Sequence, residues 1–335
     1  MYAAVPAEFE FRAQTRPQFL AWQRRFRPRL RQTLGLDAMA TDLAKHKPHA
    51  KRQKVEDLGD HTREFWHLWV EPTVPLPFYL LRPKGLTGPL PLVLTPHGHN
   101  SPGKYVGLEK DANERRMIRH EDGDIAVQSV REGYLTIAAT TRGFGDTRTE
   151  HDRQTDVPNS CRLLEFHGLL AGRTAIGQRV WDIQRILDWA LANLEVDPKR
   201  IAITGNSGGG ATALFAAACD TRIAVAVPSC FFCTFRGSIG SIHHCDCNYI
   251  PGILRLGEMS DIAGLIAPRP FCAIAGKTDP IFPIRPVRQA YRQLKHIYTV
   301  AKAPDQCHLH IGPGAHRYYQ AGAWPFIHEA FSLSS

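Results

Sequence analysis

Residues 201–219 read IAITGNSGGGATALFAAAC: a short apolar run rich in β-branched residues, a glycine-rich turn, and an alanine-rich apolar segment of helical character. At its centre, Gly205-Asn206-Ser207-Gly208-Gly209 has the G-x-S-x-G spacing of a nucleophile elbow, placed between a strand and a helix. A serine on so sharp a turn takes strained backbone angles, and the residues two positions away must then lack side chains that would collide. Gly205 and Gly209 meet that need, so the Ser207 hydroxyl is expected at a strand tip facing a crevice.

The sequence around this stretch repeats the same alternation. PLVLTPHGH (91–99) reads as a strand ending in His-Gly, and DIAVQSVREG followed by YLTIAAT as a helix feeding a strand. Thr174 to Leu194 reads as a helix with Ile176, Val180, Ile183, Leu187, Leu191 and Leu194 on one side. IAVAVPSC, FCAIAG and CHLHIG are further apolar strands, and PIRPVRQAYRQLKHIY a further helix. Strands alternating with helices predict an α/β class with a mostly parallel central sheet flanked by helices. Ahead of it, REFWHLWVEPTVPLPFYLLRP alternates around a proline-rich turn, the mark of an antiparallel pair. Residues 1–60, with Phe19, Trp22, Phe26, Leu30 and Leu34 at helical spacing, predict an N-terminal helical extension. Residues 61–335 then form the catalytic domain, with an insertion at about 231–262.

Serine needs an imidazole to take its proton, and the imidazole needs an acid to hold its tautomer. Asp279 lies just past FCAIAG in GKTDPIFP, and His316 just past CHLHIGPG in GAH, both at the carboxyl ends of predicted strands where such folds gather their loops. Ser207, Asp279 and His316 are therefore the candidate catalytic residues. His308 and His310 read as strand residues. The tetrahedral intermediate requires donors for its oxyanion; the backbone N–H groups of Gly208 and of His99, in TPHGHN, are the candidates. The side chains of His97 and His99 are not read as metal ligands.

Taken together, GNSGGG, GKTDPIFP, GAH and PHGH resemble serine esterases of the α/β-hydrolase superfamily, and RVWDIQRILDWA, CTFRGSI, CNYIPGIL and GEMSDIAGLIAPRPF narrow the likeness to the acetyl xylan esterase-like and dienelactone hydrolase-like branch. The resemblance implies the α/β-hydrolase fold, the usual roles for Ser207, Asp279 and His316, and a carbohydrate ester as candidate substrate, while the bulky Phe231, Phe232, Phe235, Tyr249 and Ile250 of the insertion predict short acyl (acetyl) groups. The residue after the nucleophile is Gly208, where multifunctional cephalosporin and xylan deacetylases usually carry Gln, so their exact substrate does not transfer. TTRGFGDTRT also resembles the family, with Arg142 expected in a structural salt bridge. A peptidase of the prolyl oligopeptidase clan is the nearest rival, but about 60 residues of helix cannot supply the propeller of those enzymes. A non-catalytic scaffold binding an anionic polymer is the other, and a triad intact in order argues against it.

Composition limits the remaining choices. The chain has 335 residues, 43% hydrophobic and 22% charged, with a net charge of +9, which excludes a disordered or fibrous protein. Arg24, Arg25, Arg27, Arg29 and Arg31 share the run QRRFRPRLRQ, read as a solvated helical face rather than a nucleic-acid site. No apolar run of membrane-spanning length occurs and no signal peptide is visible at the start, so a soluble, cytoplasmic protein is expected; a chain trimmed of its leader would look the same. Cys230, Cys233, His243, His244, Cys245 and Cys247 crowd into the insertion with irregular spacing, and are read as buried thiols ahead of a disulfide or a zinc site. No cofactor and no metal is expected.

Overall fold

The computed structural model describes residues 5–332. Among these residues, nine strands form one sheet in the order β1-β2-β3-β5-β4-β6-β7-β8-β9, where β1 is His49–Asp57, β2 His61–Glu71, β3 Val74–Pro83, β4 Leu90–Leu94, β5 Leu135–Ala139, β6 Val196–Asn206, β7 Val225–Ser229, β8 Phe271–Gly276 and β9 Cys307–Gly312. From β5 to β9 every pairing is parallel; β1, β2 and β3 are antiparallel, and β3 joins the parallel part antiparallel to β5. From β4 the chain moves first to β5 on one side and then to β6 on the other. The loops leaving β4 and β6 thus diverge and leave a crevice between them, the position where open α/β sheets hold their ligands.

The inner parallel strands β4, β5, β7 and β8, and residues 201–205 of β6, are largely apolar because helices cover both faces. Their side chains alternate between two cores: Leu92, Leu94, Ile201, Ile203 and Ala226 enter one, Val93, Ala202, Val225 and Val227 the other. The first core is closed by helices Arg16–Leu34, Ala175–Asn193, Gly208–Cys219 and Ile284–Val300, the second by helices Ile125–Arg131 and Gln320–Ser332. The last helix has no counterpart in the sequence reading, since Pro325 inside it disguises the helical pattern.

Helix Arg16–Leu34 starts at a capping box, Thr15 with Gln18, and buries Phe19, Phe26, Leu30 and Leu34. Its arginines divide. Arg24, Arg25 and Arg29 are exposed, whereas Arg27 donates to the carbonyls of Ala218 at 3.0 Å and Leu265 at 2.6 Å. The helical extension read as reaching residue 60 departs from the structure here: helix ends at Asp42 and residues 49–57 are strand β1. That strand lies at the sheet edge, almost wholly exposed, and carries Lys51, Arg52 and Lys54, so no apolar alternation marks it in the sequence. It is held by pairing to β2, where His49 stacks on Trp69 with ring centroids 4.8 Å apart.

Arg142 is buried in a charge network. Its guanidinium pairs with Asp182, at 3.0 Å through Nε, and with Glu71, and reaches Gln178 at 3.3 Å. Arg173 adds a second pairing to Glu71 at 3.0 Å. The network ties β2 and the loop after β5 to helix Ala175–Asn193, as a structural salt bridge does.

Candidate active site

Strand β6 ends at Asn206, and Ser207 follows with φ 60° and ψ −120°, an angle pair that ordinary side chains avoid. The turn is held because its surroundings leave no alternative. Ser207 N–H donates to the Ser229 carbonyl at 2.9 Å, and Asn206 N–H to the Tyr105 hydroxyl at 3.1 Å. The Asn206 side chain accepts from the Ser229 hydroxyl at 3.0 Å. A Cβ on Gly205 would lie 2.3 Å from the Pro96 carbonyl oxygen, and one on Gly209 only 2.0 Å from it. The loop after β4 therefore presses directly on the elbow, which is why glycine stands at both positions.

Downstream of β8, Asp279 is buried and its carboxylate is saturated. Oδ2 meets His316 Nδ1 at 2.7 Å, and Oδ1 accepts the backbone N–H groups of Ile281 and Phe282, each at 3.0 Å. Burial by itself would raise this carboxyl, but the His316 contact and the two N–H donors outweigh it and hold it below its ordinary range. His316 follows β9 and is partly exposed, and the Phe282 ring stacks on it at 5.8 Å with 17° between planes. The structure thus brings Asp279 and His316 together. Ser207 stands at the same carboxyl edge of the sheet, with β7 alone between its strand and β8.

The candidate oxyanion loop has a support that the sequence reading missed. His97 is fully enclosed, and burial pushes its ring down to about 3, so the ring is neutral. With Nε2 accepting the Thr141 N–H at 2.8 Å, Nδ1 carries the proton and donates to the Gly98 carbonyl, also at 2.8 Å. Thr141 returns a bond from its hydroxyl to the His97 carbonyl at 2.6 Å. One imidazole therefore pins the PHGH turn to the loop after β5. Gly98 is seated so closely that a Cβ there would be 3.1 Å from both Gly208 N and Ser207 Cβ. Gly208 opens its helix, so its N–H has no carbonyl four residues earlier in that helix to bond, and it sits at the positive end of the helix dipole. The signal for His97 was visible as PHGH, but only the fold shows what the ring touches.

The chain belongs to the acetyl xylan esterase (AXE1) family. The family model matches residues 75–249, from β3 through the elbow into the insertion. A Bacillus subtilis protein named as a hydrolase, YtaP, is 29% identical over 236 residues, 68% of this chain and 74% of its own length. Among solved structures, a Bacteroides fragilis protein described as an acetyl xylan esterase superposes with a TM-score of 0.78 at 18% identity, covering 97% of this chain and 81% of that one. The glucuronoyl esterase from Solibacter usitatus superposes with a TM-score of 0.66 at 14% identity, covering 86% of each chain. These two share the fold. Family membership makes this chain a serine hydrolase of carboxylic esters on the α/β-hydrolase fold.

Within this enzyme the insertion after β7 divides its residues. Phe231, Phe232 and Phe235 are buried, Phe231 between Phe215 and the Phe282 ring that stacks on His316, and Phe232 against Phe271. Tyr249 is exposed and lines, with Phe166, Leu169, Phe235, Ile239 and Ile250, an apolar cleft of about 520 Å³. None of Ser207, Asp279 and His316 lines this cleft. Four members of the Cys/His run are also dispersed. His244 bonds the Ser238 hydroxyl at 3.1 Å, His243 is exposed, and Cys233 lies in the core. Cys230 sits beside Asp279 and His316 with its thiol on the Arg317 carbonyl at 3.1 Å, and burial pushes that thiol up to about 12, so it stays protonated. All eight cysteines are free. Among the described residues no helix is long and apolar enough to cross a membrane.

Proposed function

We propose that this esterase removes short acyl groups, acetyl first among them, from carbohydrate esters, with Ser207 as nucleophile, His316 as general base and then acid, and Asp279 holding the imidazole. Ser207 Oγ attacks the ester carbonyl as His316 Nε2 takes its proton. The backbone N–H groups of His99 and Gly208 receive the oxyanion, aided by the helix that begins at Gly208. Collapse of the tetrahedral intermediate breaks the bond to the sugar oxygen, which leaves with the proton from His316. Water then repeats the sequence on the acyl-enzyme, releasing the carboxylic acid and restoring the serine.

The observation that carries the reading is the 2.7 Å Asp279–His316 contact at the sheet edge that also carries the strained Ser207 turn. Asp279 on Nδ1 leaves Nε2 as the nitrogen able to face a hydroxyl. Short acyl groups are favoured because Phe282, stacked on His316, and Phe231, packed against Phe282, are buried and fill space that a long chain would need. Free, mostly buried thiols suit a reducing, cytoplasmic setting.

Labelling with a fluorophosphonate followed by peptide mass spectrometry should place the adduct on Ser207. The unlabelled enzyme should release acetate from acetylated xylo-oligosaccharides faster than it cleaves methyl glucuronoyl esters. A label on another residue would remove the assigned nucleophile, and preferential cleavage of the glucuronoyl ester would remove the acetyl assignment.

A further inference from the structure

Four soft donors from three distant parts of the chain converge next to the oxyanion loop. His99 lies in the turn after β4, Cys161 opens helix Cys161–Leu170, and Cys245 and Cys247 belong to the insertion after β7. All four donor atoms lie within 4.8 Å of one another. His99 Nε2 is 3.5 Å from Cys247 Sγ and 3.7 Å from Cys161 Sγ, and the two sulfurs of Cys245 and Cys247 are 3.6 Å apart. A tetrahedral zinc with bonds of about 2.3 Å to sulfur and about 2.0–2.1 Å to nitrogen has S···S edges of about 3.8 Å and S···N edges of about 3.5 Å. The spacing is that of a ligand cage. It is also too wide for a disulfide bond, and the sulfurs are unbonded.

A second observation concerns charge. Arg179 is fully buried, and among the described residues no carboxylate lies within salt-bridge distance of it; Asp182 and Glu165 act on it only from further away, and Asp182 is already paired with Arg142. Its guanidinium bonds the Arg142 carbonyl at 3.3 Å and Cys161 Sγ at 3.3 Å, and faces the Phe144 ring. A buried cation needs a nearby anion. Three thiolates and one neutral imidazole around a divalent ion carry a net charge of −1, which Arg179 would neutralise.

We infer that His99, Cys161, Cys245 and Cys247 form a Cys₃His site for one zinc ion, in place of the metal-free chain that the sequence led us to expect. Four protein ligands fill a tetrahedron and leave no position for water, so the ion is structural. Its effect on the chemistry is through position. It joins the insertion and helix Cys161–Leu170 to His99, whose ring lies over Gly208, with Nδ1 3.3 Å from where a Cβ on that glycine would be. The ion and His97 then both hold the PHGH turn, and His99 is a positioning residue through its side chain as well as a candidate donor through its backbone.

Elemental analysis of the full chain, purified under reducing conditions and dialysed against zinc, should find about one zinc per chain. Cobalt(II) in its place should show the intense visible bands of a tetrahedral thiolate complex. Cys161→Ser and Cys247→Ser should each lose most of the metal, and Cys233→Ser, in the core outside the cluster, should retain it. If the buried variants do not fold, Cys245→Ser alters the more accessible ligand and should weaken zinc binding by about a hundredfold in chelator competition. Wild type holding less than about 0.2 zinc per chain, or Cys245→Ser binding zinc as tightly as wild type, would overturn the site. Ser207→Ala should keep its zinc while losing hydrolysis, so the metal and the esterase assignments fail separately.

Discussion

His97 offers the sharpest link between fold, pH and chemistry. In the native protein its ring is enclosed, neutral and bonded at both nitrogens, with burial as the main reason that its value falls from 6.5 to about 3. In the unfolded chain the same ring takes up a proton below about 6.5, so the unfolded state binds more protons than the native state between those limits. Stability therefore falls as pH falls, by about 1.4 kcal/mol per pH unit once below 6.5, and by about 4–5 kcal/mol when the window is complete. Between pH 7 and pH 5 the contribution is about 2 kcal/mol. Because His97 is only 1% exposed, solvent screening does little to reduce it. His97→Gln removes the titration while keeping an acceptor able to reach Thr141 N–H. Urea unfolding of both proteins at pH 7, 6 and 5 should show wild type more stable at pH 7, with the gap narrowing by about 2 kcal/mol at pH 5. The variant should also lose kcat on an acetate ester at pH 7 by about tenfold or more with little change in KM, since the oxyanion loop loses its anchor to Gly98. A gap independent of pH would show that His97 is not held neutral, and an unchanged kcat would separate its ring from oxyanion placement.

Ser207→Ala should fold as wild type by circular dichroism and lose on the order of 10⁴–10⁶ in kcat on p-nitrophenyl acetate; retention of more than about a tenth of the activity would dismiss Ser207 as nucleophile. Across p-nitrophenyl esters from acetate to octanoate, kcat/KM should fall from butyrate onward. An extended apolar groove would instead add about 0.8 kcal/mol of binding per methylene, so octanoate equal to acetate would mean that the 520 Å³ cleft or another groove takes the chain. Gly209→Ala places a methyl 2.0 Å from the Pro96 carbonyl and should destabilise by more than about 3 kcal/mol in thermal or urea unfolding, with activity lost in proportion to folding.

The sequence alone was enough for the α/β class and the reactive strand tips, because both are written locally. Short apolar runs rich in β-branched residues and bounded by turn signals, such as 201–204, suit strands buried on both faces, and a serine bracketed by Gly205 and Gly209 suits the sharp turn that follows. Asp279 and His316 were legible as candidates because they follow strands, and their 2.7 Å contact is what the sheet order adds. Strand β1 was hidden because an exposed, charged edge strand has no apolar period to read, and the final helix because Pro325 interrupts its pattern. The partners of His97, the counter-charge of Arg179 and the cage of His99, Cys161, Cys245 and Cys247 were beyond any local reading. His99 lies 62 residues from Cys161 and 148 from Cys247, and spacing rules for metal ligands work only where ligands come in close pairs on one turn or hairpin. Tertiary structure decided those contacts, since loops that leave neighbouring strands in different directions meet again only when helices pack both faces of the sheet.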